Sequence, residues 1–200
     1  TQAVITYDER LKFLSNYLQQ LQMESGGKSV RTDGRSVKVK TSPILWGGSG
    51  SEGQHSYFQL LTQGKRLVPV DFILPINSSG GHEKDHTISI ADCLSQSEVM
   101  MEGYKSEDLK LCHPGNKPSN TIIFKQLNPE SLGQLISLYE HKVFVENVIW
   151  GTNPFDQFGV ELGKTLSNSL VKESSVDISY KGSNASTKSL LAKIKIIKEK

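Results

Sequence analysis

The chain has 200 residues, 36% hydrophobic and 22% charged, with a formal net charge of +2. This is ordinary globular composition, long enough for one domain with a real core, and its charge gives no case for a nucleic-acid partner. Two cysteines, Cys93 and Cys112, are too few and too far apart for a disulfide framework or a metal knuckle.

Asp8 is placed as the N-cap of a helix with Leu11, Leu14, Leu18 and Leu21 on one face and Phe13 and Tyr17 beside it. There is no initiator Met ahead of it, so the chain reads as a piece of something longer. The pattern stops at Gly26-Gly27, where glycine permits backbone angles that other residues resist. Residues 28–42 are polar, with Asp33-Gly34 as a turn between short strands. Ile44-Leu45-Trp46 reads as a short buried strand, followed by a glycine-rich loop and a helix from about Gln54 to Thr62. The apolar run Leu67 to Ile76 fits a strand covered on both faces of a parallel sheet. A loop with Gly80-Gly81 leads to a helix around 86–102, and 103–120 is irregular. Thr121 to Phe124 is a further buried strand. Asn128 caps a long helix with Pro129 in its first turn, running to about Trp150. Asn153-Pro154 breaks it, and another helix follows at about 156–172. Strands alternating with helices predict an α/β layered fold with a mainly parallel sheet.

Residues 181–200 hold six Lys against one Glu, a local +5 that leaves about −3 on residues 1–180. Such a tail reads as a solvated helix or a docking arm. With no secretory leader and no apolar run near eighteen residues, a cytoplasmic setting is expected. The sequons at Asn77 and Asn184 matter only in a secreted chain.

Gly48, Gly50 and Gly53 make a G-x-G-x-x-G spacing between a strand and a helix, and Asp71 lies eighteen residues beyond, near the place of a ribose-binding acid. Against a dinucleotide site, Asp71 falls inside an apolar run, and Gln54-His55 stand where a small packing residue is usual. The loop also brings His55 to a helix N-terminus, where the local field favours a neutral imidazole able to accept a proton. Glu24 sits at a helix end beside glycines, where a carboxylate can act as a base or be merely solvated. In residues 155–164, Gln157, Val160, Glu161 and Lys164 follow helical spacing, which sets Gln157 and Lys164 on one stripe, while Gly159 and Gly163 bare a face. His82 and His86 have spacing compatible with zinc but no clear third ligand. His113 and His141 read as loop and helix-surface residues, and Met100-Met101 as core.

Three separated segments resemble one family, the glucose-6-phosphate isomerases. "QQLQMESGGKSV" (19–30) is similar to that family's catalytic-glutamate segment. "GSEGQHSYFQLLTQG" (50–64), with "VPVDFILP" (68–75), is similar to its histidine segment, and "ENVIWGTNPFDQFGVELGK" (146–164) to its C-terminal signature. The resemblance covers about residues 2–170, and 182–195 more faintly. It departs where Gly26 replaces the usual Asn and where "GGSGSEG" replaces a loop with Glu-Pro-Gly-Thr-Asn.

The resemblance implies a three-layer α/β/α sandwich of the sugar-isomerase type. Residues 1–172 would be the second such domain, incomplete at its N-terminus, and 173–200 a basic arm. It implies interconversion of glucose 6-phosphate and fructose 6-phosphate in glycolysis and gluconeogenesis, with no cofactor and no metal. His55 and Lys164 would divide the acid–base work of ring opening. Glu24 would move the proton between C2 and C1 through a cis-enediol, and Gln20 and Gln157 would hold the substrate. A homodimer is implied, with His55 donated across the interface. The phosphate loop and a catalytic arginine would lie upstream of Thr1, so these 200 residues alone are expected to be inactive. Two other readings stand beside this one: a non-catalytic sugar-phosphate-binding module and a dinucleotide-dependent oxidoreductase.

Overall fold

Ahead of the first predicted helix, Ala3, Val4, Ile5 and Thr6 are all essentially sealed from solvent. They form the strand on which the sheet is built, in a computed structural model describing residues 1–78, 83–171, 182 and 184–198. The described residues divide into two compact units, Thr1–Phe155 and Asp156–Lys200.

In the first unit β1 (Gln2–Thr6), β2 (Leu45–Ser49), β3 (Val70–Asn77) and β4 (Ser119–Gln126) form one parallel sheet in the order β2-β1-β3-β4. Side chains alternate across its two faces, as a pleated strand requires. Ala3, Ile5, Val70, Phe72 and Leu74 face one core with Phe58, Leu61, Cys93 and Met100. Val4, Leu45 and Ile73 face the other, with Leu14, Leu18, Leu135 and Tyr139. The first core is covered by α3 (Phe58–Thr62) and α4 (Glu83–Glu102), the second by α1 (Leu14–Gln19) and α5 (Pro129–Trp150). This is the expected three-layer α/β/α arrangement.

Several local expectations are corrected. β1 is a central strand that the sequence reading passed over. Asp8 does cap, but it caps a 3-10 turn at Glu9–Leu11 by accepting the Arg10 N–H at 3.0 Å; α1 and a π-turn at Gln20–Glu24 follow. The helix expected at 54–62 is two one-turn helices, α2 (Gly50–Gln54) and α3. Ile44 is exposed and β2 starts at Leu45. β4 is a half-exposed edge strand, with Ile123 in solvent. Residues 28–42 contain only an isolated antiparallel bridge, Val30 to Ser36, around Gly34 at φ 81°. By contrast α5 is capped as expected. Asn128 and Ser131 exchange hydrogen bonds, Pro129 opens the helix, and Gly151 closes it at φ 72°.

In the second unit, α6 (Phe158–Leu170) places Phe158, Leu162 and Leu166 on one exposed stripe. α7 (Ala185–Lys198) starts where the Asn184 carboxamide oxygen accepts the Thr187 N–H at 2.9 Å, and it carries Lys195 and Lys198 in its last turn. The rest of the expected basic arm, 173–181 and 183, lies outside the described residues, as do 199 and 200.

A buried carboxylate ties the layers together. Asp71, 6% exposed on β3, accepts from Gln2 Nε2 at 2.8 Å, Asn120 Nδ2 at 2.9 Å and Tyr139 OH at 3.1 Å. Those donors come from β1, β4 and α5. Burial and the adjacent carboxylate push the Tyr139 phenol up, so it remains a donor. Asp71→Ala leaves the buried Tyr139 hydroxyl without its acceptor and releases the less buried Gln2 and Asn120 amides, a loss of about 2 kcal/mol in urea denaturation at pH 7. A change under about 1 kcal/mol would mean that the donors find water and the tie is dispensable.

Candidate active site

Glu24 ends the π-turn that continues α1, and it is half-buried. π-turns widen a helix locally and recur at functional sites, because the extra residue re-aims the side chains after it. Here the result is a pairing of two sequence-predicted residues: Gln20 Nε2 donates to Glu24 Oε2 at 3.0 Å. A groove of about 530 Å³ lies beside the turn, lined by Leu21, Ser25, Glu140, His141, Val143 and Phe144 among others. Gly26 is tightly enclosed. A Cβ there would lie 3.2 Å from the Ser42 Cβ and 3.3 Å from the Trp150 ring.

The turn stands at the N-terminal edge of the sheet. Gln19 Nε2 donates to the carbonyl of Leu45, the first residue of β2, at 3.1 Å. Ser42 Oγ, three residues earlier in the chain, donates to the Gln22 carbonyl at 3.0 Å.

His55 stands on the other side. It follows β2 by six residues, and it is exposed. It closes the one-turn helix α2 as C-cap, its N–H on the Glu52 carbonyl at 3.2 Å. The expectation of a ring at a helix N-terminus is therefore not met. At about 3.3 Å per residue, the five residues of β2 alone keep the Glu24 and His55 regions about 13 Å apart along the strand direction. The groove beside the Glu24 turn is not lined by His55.

Of the glycines before His55, Gly48 holds a positive φ of 157°, and Gly47, Gly50 and Gly53 are explained by close packing. A Cβ at Gly47 would lie 1.8 Å from the Val4 carbonyl oxygen of the paired strand. At Gly50 it would strike the Tyr7 ring at 2.5 Å, and at Gly53 the Tyr57 ring at 2.7 Å. Asp71 is the second residue of β3, engaged by three donors, far from the strand's C-terminal end where a ribose would bind. Both features of the dinucleotide reading thus serve the core instead.

In the second unit, Gln157 occupies the N-cap position of α6, and Lys164 is exposed two turns on. The two lie on one helix, as their spacing predicts. His82 lies outside the described residues. His86 Nε2 is 2.9 Å from the Ile76 carbonyl, and no group of three metal-ligating side chains exists among the described residues.

The sequence reading missed a polar cavity of about 270 Å³ at the C-terminal edge of the sheet, lined by Thr6, Tyr7, Asp8, Ser49, Ser51 and His86 among others. The signal available was positional: residues directly after parallel strands collect at that edge.

Residues 1–191 match the family model described as phosphoglucose isomerase. The glucose-6-phosphate isomerase of Beijerinckia indica subsp. indica is 46% identical, over 98% of this chain and 39% of its own length. That of Xanthomonas axonopodis pv. citri is 48% identical, over 89% of this chain and 36% of its own. A crystal structure of a glucose-6-phosphate isomerase from Chlamydia trachomatis superposes with a TM-score of 0.84 at 33% identity, covering 98% of this chain and 38% of that one. The chain therefore spans less than two fifths of the length of these relatives.

The aromatic floor under His55 has a titration signature. Tyr57 packs edge-on against Trp46 and stacks on Phe58, and its buried hydroxyl has no hydrogen-bond partner. Burial pushes the phenol up to about 12. The sign follows: an acid whose pKa is raised by folding contributes stability below its unfolded value of 10.0 and loses it as pH rises toward 12. Stability should fall across that window in urea titrations. Tyr57→Phe should flatten the Tyr57 part of the decline while leaving stability at pH 7 equal or higher. An unchanged slope in the variant would assign the alkaline loss elsewhere.

Proposed function

Because the chain belongs to the phosphoglucose isomerase family, we propose that it is the C-terminal portion of an enzyme that interconverts glucose 6-phosphate and fructose 6-phosphate. Residues 1–172 would belong to its second sugar-isomerase domain and 173–200 to a C-terminal arm.

The observation that carries this reading is the Glu24 carboxylate, half-buried on a π-turn, accepting from Gln20 at 3.0 Å and flanked by a groove. A base that returns the proton it has taken must be shielded from bulk water, or the proton exchanges with solvent. Glu24 takes the C2 proton of the open-chain aldose while the C1 oxygen gains a proton, leaving a cis-enediol. It then delivers its proton to C1 as the C2 hydroxyl gives one up, which yields the ketose. Gln20, with donor and acceptor on one amide, holds both the carboxylate and a sugar hydroxyl. Gln157, at the start of α6, binds a further hydroxyl.

Ring opening comes first. A proton leaves the anomeric hydroxyl as one is delivered to the ring oxygen, and His55 and Lys164 divide these roles. Each well-placed acid or base contributes roughly 10²–10⁴-fold in rate. The substrate's phosphate is held by residues of the longer protein. A non-catalytic sugar-phosphate sensor would need no base at Glu24, so the acid–base set favours the enzyme.

The opposite placement of Glu24 and His55 supports a homodimer in which each imidazole serves the neighbour's pocket. Protein at the family's full length would be soluble and cytoplasmic in this reading, acting in glycolysis and gluconeogenesis.

Glu24→Gln in the full-length protein keeps the shape of the side chain and removes its basicity. A coupled assay should show kcat reduced at least roughly 10³-fold, with the fold intact by circular dichroism. Full turnover in that variant would end the proposal. Cross-donation has its own test. Glu24→Gln and His55→Ala subunits, each inactive alone, are unfolded, mixed and refolded together. In a two-fold dimer about half of the reassociated pairs are mixed, and each mixed pair carries one intact composite site of its two, which restores about a quarter of wild-type activity. No recovery, with mixed dimers demonstrably formed, would place both residues in the same subunit's pocket.

A further inference from the structure

We propose that Gln22 is a positioning residue for Glu24, acting with Lys142 and Glu146 as a clamp that holds the π-turn against α5. The proposal rests on the reading of Glu24 as the proton-transferring base.

Gln22 is the middle residue of the π-turn Gln20–Glu24 and is 1% exposed. Both ends of its amide are engaged by a single neighbouring helix. Nε2 donates to Glu146 Oε2 at 2.7 Å, and Oε1 accepts from Lys142 Nζ at 2.7 Å. The ring is closed by the Lys142–Glu146 ion pair at 2.8 Å. The Gln22 main-chain carbonyl is fixed as well, by Ser42 Oγ at 3.0 Å. Gln20 is exposed and Glu24 half-buried, and they bond to each other. The turn therefore has a clamped side and a chemical side, two residues apart.

Three physical points make the clamp more than packing. A π-turn has weaker internal geometry than an α-helix, so contacts outside it must set its orientation. Charge-assisted bonds of 2.7 Å are stronger and more directional than neutral ones. An amide can accept from an ammonium and donate to a carboxylate at the same time, without adding charge beside the base. Leu at this position keeps the volume and loses every one of these functions.

The test uses the full-length isomerase with Gln22→Leu, Gln22→Glu and the double exchange Gln22→Glu/Glu146→Gln. Steady-state kinetics are run on fructose 6-phosphate, with melting curves for each variant. A misplaced base loses rate without losing substrate affinity, so Gln22→Leu should lower kcat roughly 10- to 100-fold with KM within about twofold. With glucose 6-phosphate deuterated at C2 as the substrate, it should also lower the fraction of label that reappears at C1 relative to exchange with solvent, a quantity that mere loss of folded protein does not change. Gln22→Glu sets a carboxylate against Glu146 and should be impaired. The double exchange restores a donor–acceptor ring about the same Lys142 and should recover most of the lost kcat. It also keeps the test open should Gln22→Leu fail to fold.

The clamp is overturned if Gln22→Leu keeps kcat and isotope transfer within about twofold of wild type, or if the double exchange is no better than Gln22→Glu. Glu24→Gln, assayed in parallel, separates the two ideas. If it leaves turnover intact, the base assignment falls and the clamp with it. If it abolishes turnover while Gln22→Leu does not, only the clamp falls.

Discussion

All four strands of the sheet run in the same direction, and that constraint decides where chemistry can stand. In a parallel sheet every connection must leave at one edge and re-enter at the other. A segment that follows a strand directly is therefore held at the C-terminal edge, and one that has already crossed the sheet is held at the N-terminal edge. The His55 turn is of the first kind, six residues past β2. Glu24 is of the second, at the far end of the helical segment returning from β1. The pairing that fixes this arrangement depends on Gly47, since any Cβ there would overlap the Val4 carbonyl oxygen on β1.

Helix α5 gives the N-terminal edge its rigidity. Tyr139, Lys142 and Glu146 follow the three- and four-residue spacing of one helix face. The first reaches Asp71 in the sheet, and the other two reach Gln22 in the π-turn. Trp150, one further turn on, lies against Gly26. A single 22-residue helix thus reads both the position of β3 and the position of the segment bearing Glu24. The polar contacts along it are buried or half-buried, so their geometry is specific where a purely apolar face would let the turn slide.

What the sequence made legible follows the same physics. α5 announced itself through Asn128, Pro129 and its apolar periodicity, all local signals. β3 announced itself by a long apolar run between polar segments. β1 did not, because five residues buried on both faces carry no alternation and lie too close to Asp8 to stand apart from the helix signal. The π-turn was also invisible: its extra residue leaves the i, i+4 relation of Gln20 and Glu24 intact in the sequence, and only the backbone shows the widening. Gln22 reads as one more polar residue near a helix end, since its partners lie 120 and 124 residues later in the chain. Glu24, His55 and Lys164 became legible as a set only through the family resemblance. Composition and spacing alone left each of them open to a bland alternative.

The glycine-rich loop shows how far spacing alone can mislead. Gly48, Gly50 and Gly53 satisfy the geometry of a phosphate cradle, yet the space that Gly50 and Gly53 leave is filled by the rings of Tyr7 and Tyr57. Those rings belong to the same apolar core as Phe58 and Phe72. The loop is therefore shaped from below, by aromatic packing, and His55 is delivered to the surface as a consequence. An exposed imidazole just past the C-terminal end of β2 and a half-buried carboxylate beside its N-terminal end thus stand at opposite edges of the sheet. Strand direction puts the length of β2 between them.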